Sequence, residues 1–495
     1  MSRTSLPNLG LFKRKPKPAS VDAHVPTSPS DNAVGEKPNN VDDPPGSSHH
    51  SQNQTSLLPR HNHNGHRVTP HIHPDGESGR KGIHPMQCLK IIIKSSCRAS
   101  MAVNVLWPFV PAAIALHFVH GSHHLWTFAI SYLAMVPCAN LLGFAGQEFA
   151  RKLPRVAGAV LETCLSSVVE IILFMVLIAK DNGTGEIGHG SKIAVIQAAI
   201  LGSILTNLLL CLGFCFLVGG MRHKEQKFHP IISEVGSGLI LVAAFALMIP
   251  SAFFSSLIGT TVAQGEGYTE DQLRRDTLNI SHGVAIILIV AFILFMVYNC
   301  VSHDNIFNEV WNNDELADRD RDADLEKPKL TLAEALLAIL IALVFVSLMA
   351  VFLVEEIEYV VEHGVPDFFL GLILVPLVEK AAEHITTVDE AYDNQINFAL
   401  YHCLGPSIQT ALFNAPLVVI VGWGLDKPMD LNFEIFMVVL LVLSILVVGN
   451  FLRDGSSNYL EGALLVIVYI IIALTAYYYP NPHLTSSNGR GPVDG

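Results

Sequence analysis

Residues 166–180 read Ser166-Ser167-Val168-Val169-Glu170-Ile171-Ile172-Leu173-Phe174-Met175-Val176-Leu177-Ile178-Ala179-Lys180. Residues 375–384 read Val375-Pro376-Leu377-Val378-Glu379-Lys380-Ala381-Ala382-Glu383-His384. The first stretch sets a single carboxylate inside an otherwise unbroken apolar run, and no helical face there is polar enough to solvate it. An apolar run of about 20 residues is what a helix needs to cross a hydrocarbon core ~30 Å thick, because each residue rises only ~1.5 Å. A carboxylate placed mid-bilayer costs at least ~2.5 kcal/mol on insertion scales, so its presence marks a working group. These two stretches therefore predict an all-α membrane protein with carboxylates at the centre of its bundle.

Outward from these stretches, about eleven apolar runs recur, near residues 101–119, 125–147, 156–179, 192–219, 232–253, 280–301, 331–354, 367–388, 396–424, 432–452 and 458–479. Half of the 495 residues are hydrophobic and 15% are charged, and the charges gather between the runs. The formal charge of −13 comes from acids in the first tail and around Asp304 to Glu326, so it does not describe an acidic soluble globule. Neither an enzyme nor a nucleic-acid partner is expected from this pattern, and membrane lipid is. The eight cysteines form no disulfide framework and no Cys-x-x-Cys pair; six of them lie in or beside apolar runs, where a thiol behaves as a small hydrophobe.

The chain divides into residues 1–85, a polar His-rich tail expected to be disordered; 88–301, a first span followed by five more; 302–329, an acidic loop; 330–479, a second set of five spans; and 480–495, a short tail. The first tail buries too little apolar surface to offset ordering. Its His49, His50, His61, His63, His66, His71 and His73 offer imidazole nitrogens with which a flexible segment could wrap Zn2+, although no fixed ligand spacing is present. Lys and Arg clusters at Arg80 to Arg98, Arg151 to Arg155 and Arg222 to Lys227 fall on one side if the spans alternate, and that side is expected to be cytosolic, with the N-terminus.

Five spans separate Ser166-Ser167-Val168-Val169-Glu170 from Glu379-Lys380-Ala381-Ala382-Glu383. An odd offset means that the two halves enter the membrane in opposite directions, so one N-terminal helix plus two inverted five-helix repeats is expected. Glu170 and Glu383 are the leading ligand candidates. A buried carboxyl either holds a proton or faces a cation, and that competition allows one site to serve two ions in turn. Two such groups match the charge of one Ca2+, whose chemistry favours oxygen ligands. Glu162, Ser166 and Glu170 share a face at i, i+4, i+8, as do Glu379 and Glu383 at i, i+4. Glu379 is thus expected to line the pathway, and Lys380 to face a neighbouring helix or the pathway's edge. The alternative reading pairs the acids with Lys380 or His384. Ser167, Gln197, Ser203, Asn207, Ser407 and Gln409 extend the candidate set with neutral oxygens, unless they serve only interhelical hydrogen bonding and close packing. Pro406 and Pro416 are expected to kink the ninth span and free carbonyls there.

Over residues 88–479 the sequence resembles the cation/proton exchangers of the calcium/cation antiporter superfamily, especially fungal vacuolar calcium/proton exchangers. The signals are Asn104-Val105-Leu106 with Pro108-Phe109-Val110-Pro111, Gln197 through Asn207, Ala381-Ala382-Glu383-His384, and Gly405 through Gln409 followed by Gly422-Trp423. The resemblance implies exchange of Ca2+ for protons by alternating access at a vacuolar membrane, with no tightly bound cofactor. It also implies Gly-Asn ahead of each motif glutamate, where this chain has Ser166-Ser167 and Glu379-Lys380. A monovalent or Mn2+ exchanger of the same fold, or a non-transporting metal-sensing regulator, are the competing expectations. A His-rich zinc transporter of another fold is disfavoured, because no His/Asp pair sits at i, i+4 inside a span.

Overall fold

The computed structural model describes residues 72–73, 76–80, 82–118, 124–181, 192–258, 269–318 and 327–479. Of the tail histidines, His49, His50, His61, His63, His66 and His71 lie outside these residues, as do the centre of the acidic loop and the C-terminal segment 480–495.

A short helix, α1 (Pro85–Lys94), precedes α2 (Arg98–Phe118), α3 (His124–Ala150), α4 (Arg155–Lys180), α5 (Lys192–Arg222), α6 (Pro230–Leu257) and α7 (Glu270–Ser302). The loop helix α8 (Asp304–Ala317) leads to α9 (Leu332–Glu362), then α10 at residues 367–392, α11 (Ile396–Gly424), α12 (Ile435–Asp454) and α13 (Tyr459–Tyr478). All eleven expected runs become helices, and among the described residues ten helices are long and apolar enough to cross a membrane. The exception is α10, which carries Glu379, Lys380, Glu383 and Glu390. A two-residue antiparallel bridge, β1 (Gln226–Lys227) with β2 (Ser456–Ser457), is the sole strand pairing among the described residues.

Side-chain contacts show that the halves are inverted. Helix α3 runs antiparallel to α9: His124 Nδ1 lies 2.8 Å from Glu356 Oε2 at one end, and Glu148 accepts from the Leu330 N–H at 2.8 Å at the other. Helix α6 runs antiparallel to α12, with Ser251 donating to the Leu431 carbonyl and Gly449 lying against Ser237. Each half then lends a helix to the other in the same direction. Along α5 and α10, Gly202 meets Leu372, Asn207 meets His384, and Cys215 meets the Thr387 carbonyl. Along α4 and α11, Thr163 meets Gly405, Glu170 meets Thr410, and Ile178 lies against Gly422. This reciprocity is the two-fold relation expected of inverted repeats.

The crossing of α5 and α10 depends on glycine. A Cβ on Gly202 would lie 2.2 Å from the Leu372 carbonyl oxygen, and one on Gly371 would lie 2.6 Å from Ala198 Cβ. Pro376 lacks the N–H that would reach Leu372 four residues back. The backbone there runs through a π turn at Leu370–Leu374, whose Leu374 carbonyl accepts from the Tyr132 hydroxyl at 2.8 Å. A matching π turn, Thr410–Asn414, precedes Pro416 in α11. The helix continues through Pro406, and the irregularity expected at Pro406 and Pro416 is concentrated in that turn.

The tail boundary differs from the compositional reading. Residues 76–80 and 82–84 are held against the bundle: Arg80 pairs with Glu334 at 3.2 Å, the His84 N–H donates to Glu334, and Lys152 Nζ donates to the Gly76 and Leu330 carbonyls. Polar anchoring fastens this stretch, and a search for apolar burial does not reveal it. Glu334 also completes a capping box with Thr331 at the start of α9.

Gly202→Ala should lower stability by about 1–3 kcal/mol, the range for forced overpacking. Gly238→Ala, where an added Cβ meets nothing within 4 Å, should not lower it. Melting midpoints of the two purified variants in detergent provide the comparison, and equal midpoints would contradict the close crossing.

Candidate functional site

Helix α4 is interrupted at Ser167 and resumes at Val168, which carries Glu170 in the first turn of the second segment. The Glu170 side chain is fully buried. Thr410 Oγ1 lies 3.1 and 2.9 Å from its two oxygens, and Asn414 Nδ2 donates to Oε2 at 3.1 Å. Both partners belong to the π turn of α11, so the widened turn is what directs them at the carboxylate.

Lys380 enters from α10. Its Nζ lies 3.4 Å from Glu170 Oε2 and 3.7 Å from Glu383 Oε2, and its side chain is buried. This reverses the expectation that Lys380 faces a neighbouring helix or the pathway's edge. Glu383, three residues on, lies close enough to pair, Glu170 approaches from α4, and a four-carbon stem spans the remaining angle. The alternative sequence reading, in which the acids neutralise Lys380, matches this arrangement. Glu379 is also buried, within electrostatic reach of Glu170, Lys380 and Glu383, and neither of its oxygens has a hydrogen-bond partner among the described residues. Three carboxylates and one ammonium thus form one cluster, which carries two formal negative charges when all are ionised.

Glu383 is the member that reaches open space. It lines a small cavity of about 30 Å³ with Glu162, Ser166, Asn140, Gln147 and Thr386. Glu162, Gln147 and Thr386 also line a larger cavity of about 280 Å³ among Glu390, His402, Asp389, Asp393 and Glu315. The two cavities share Gln147, Glu162 and Thr386, so a vestibule with acids and Arg151, Arg155 and Lys329 in its wall adjoins the space at Glu383, with Lys380 and Glu170 behind it. Within the vestibule, His402 Nδ1 lies 2.9 Å from Glu390 Oε2.

The remaining candidates divide. Ser167 and Ser203 are fully buried with hydroxyls that have no partner among the described residues. Asn207 Oδ1 meets His384 Nε2 at 3.0 Å, while its amide nitrogen has no partner there. The Ser407 hydroxyl bonds back to the Cys403 carbonyl at 2.9 Å, and Gln409 is buried. Gln197 is committed elsewhere: its amide donates to Asp430 Oδ1 at 2.8 Å in the loop before α12. Burial pushes the Asp430 carboxyl up, opposed by the Asn432 N–H and that amide. Sequence reasoning missed Thr410 and Asn414, which lie three and seven residues beyond Ser407 on one helical face; that spacing was the available signal.

Comparison with known proteins follows the same division into halves. The family model described as "Sodium/calcium exchanger protein" matches residues 123–301 and 334–478, the two five-helix sets. Among curated relatives, the Ca(2+)/H(+) antiporter of Synechocystis sp. is 32% identical over 387 residues, covering 76% of this chain and 97% of that protein. Vacuolar cation/proton exchanger 2 of Arabidopsis thaliana is 31% identical, over 77% of this chain and 82% of its own. The vacuolar calcium ion transporter of Schizosaccharomyces pombe is 30% identical, over 76% and 85%. The crystal structure of the selenium-substituted Ca2+/H+ antiporter protein YfkE aligns with a TM-score of 0.58 and 24% identity, covering 77% of this chain and all of that one, which supports the fold.

Thr410→Val leaves the buried Glu170 short of a donor and should cost about 1–3 kcal/mol. Ser407→Ala removes only a bond within its own helix and should cost less. Thermal denaturation of both variants decides the ranking, and the opposite order would contradict the role given to Thr410.

Proposed function

The chain belongs to the sodium/calcium exchanger protein family, and on that premise we propose that it is a secondary antiporter moving Ca2+ from the cytosol into the vacuole in exchange for protons. The observation that carries this reading is the pair Glu170 and Glu383, one from each inverted half, facing a shared buried volume through Lys380. A cation and protons cannot both satisfy these carboxylates, so each turn of the carrier returns with one or the other.

The departure at Glu379-Lys380 is compatible with a divalent cargo. Relative to Gly-Asn, the pair adds one negative and one positive charge and leaves the site's balance unchanged. Without cargo, the Lys380 ammonium compensates Glu170 and Glu383. Arrival of Ca2+ through the Glu162 and Glu390 vestibule competes with that ammonium, which can turn toward Glu379, whose oxygens have no hydrogen-bond partner among the described residues. Glu379 is then a place to store the displaced charge. Ser166, beside Glu383, and the unpartnered hydroxyls of Ser167 and Ser203 supply the neutral oxygens that calcium chemistry favours. A second reading, exchange of a monovalent cation, draws on the same lysine: if Lys380 stays between Glu170 and Glu383 throughout and Glu379 holds a proton, one net charge remains for the cargo.

The vacuolar assignment follows the names of the relatives, and the cytosolic placement of the vestibule follows from the basic clusters at Arg151 to Arg155 and Arg222 to Lys227. Zn2+ binding by the His-rich tail remains a separate proposal, since His73 is the only one of its histidines among the described residues.

Purified protein in acid-loaded liposomes should release protons when Ca2+ is added outside, and Glu170→Gln and Glu383→Gln should each abolish that efflux while the protein stays folded. Wild-type efflux in either variant would overturn the two-carboxylate mechanism. Lys380→Asn alone strands buried carboxylates and should cost about 3–5 kcal/mol without calcium, with Ca2+ restoring the melting midpoint. Glu379→Gly together with Lys380→Asn should keep calcium-driven efflux. Efflux driven by Na+ or K+ but not Ca2+ in the unaltered protein would favour the second reading.

A further inference from the structure

Helices α5 and α11 are the most enclosed of the ten apolar helices, and they meet at three cysteines. Cys211 closes the π turn of α5, Cys215 lies one turn further along, and Cys403 faces them from α11, one turn before Ser407. All three are buried. Their sulfur atoms lie within 4.8 Å of one another, with Cys211 Sγ and Cys403 Sγ 3.6 Å apart, and Cys215 Sγ lies 3.6 Å from the Thr387 carbonyl oxygen on α10.

We propose that Cys211, Cys215 and Cys403 form a site for a soft d10 cation of the Cu(I), Zn2+ or Cd2+ class, tying α5 to α11. A metal–thiolate bond is ~2.3 Å long, so sulfurs arranged trigonally or tetrahedrally around one ion stand about 3.8–4.0 Å apart. The triad is already close to that spacing, with all three sulfurs within 4.8 Å of one another. Thiolates select soft ions, whereas the Glu170 and Glu383 volume offers hard oxygen, so the two sites divide cations by chemistry. His384 and Glu390 are the charged or titratable neighbours of the cluster, and His384 is held by Asn207, one turn before Cys211. The site is independent of which ion the carrier exchanges.

The test uses the full chain in detergent, with excess Ca2+ present to occupy oxygen ligands and Cd2+ as the probe. One Cd2+ per chain should produce thiolate-to-cadmium charge-transfer absorption in the ultraviolet and raise the melting midpoint, because the ion joins two helices in the folded state only. The double variant Cys211→Ala, Cys403→Ala should lose both effects, and Cys215→Ala should weaken them. A variant with Cys88, Cys97, Cys138, Cys164 and Cys300 all replaced by alanine should keep both. Absence of the absorption in the unaltered chain, its persistence in the double variant, or its loss in the five-cysteine variant would overturn the proposal and leave the triad as apolar packing.

Discussion

Three buried ionisable side chains cannot be left to separate: Glu170, Glu379 and Lys380, with Glu383 at the edge of the vestibule, hold one another in place. Taking charges out of water costs several kcal/mol per ion even after relaxation, and only close opposite charges and hydrogen bonds offset it. The fold can be understood as the scaffold that supplies them. An ammonium from α10 reaches a carboxylate from α4, and a π turn in α11 brings Thr410 and Asn414 to the same carboxylate. A site that tightly compensated is also one that an incoming cation or proton can rebalance.

Backbone irregularity makes room for that arrangement. Gly202 and Gly371 let α5 and α10 approach to carbonyl contact, and π turns beside Pro376 and Pro416 shift which carbonyls and side chains face inward. The Leu374 carbonyl, two residues before Pro376, accepts the Tyr132 hydroxyl and so ties the π turn of α10 to α3. The same devices occur in both halves, as inverted repeats require, yet they are not identical: the second half carries Glu379-Lys380 where the first has Ser166-Ser167. The two halves therefore contribute the same net charge to the site through unequal numbers of charged groups.

Much of this was legible in the sequence. The apolar runs, their inverted relation and the central place of Glu170 and Glu383 follow from hydropathy, from an odd span offset and from the cost of burying acid. The charge of α10 was visible too, but a run broken by Glu379, Lys380, Glu383 and Glu390 is less apolar than its neighbours, which explains a count of ten where eleven were expected. The direction of Lys380 was not legible. Adjacent residues on a helix differ by about 100°, but a long flexible stem crosses that angle when two carboxylates attract its end. Gln197 looked like a central ligand because it lies in a polar-dotted apolar run; its actual partner, Asp430, is more than two hundred residues away in sequence, and no local pattern announces it. Thr410 and Asn414 carry a helical spacing from Ser407, but their partner Glu170 lies 240 and 244 residues away in sequence, so their aim at it was not legible.

The central claim is that cargo and protons compete for Glu170 and Glu383. Calcium affinity of the purified protein, measured over a series of pH values, tests it most directly, because competition requires reciprocal linkage between the two ions. The account predicts that affinity falls steadily as pH is lowered and that Glu383→Gln flattens this dependence. Calcium binding that is tight and independent of pH in the unaltered chain would contradict it.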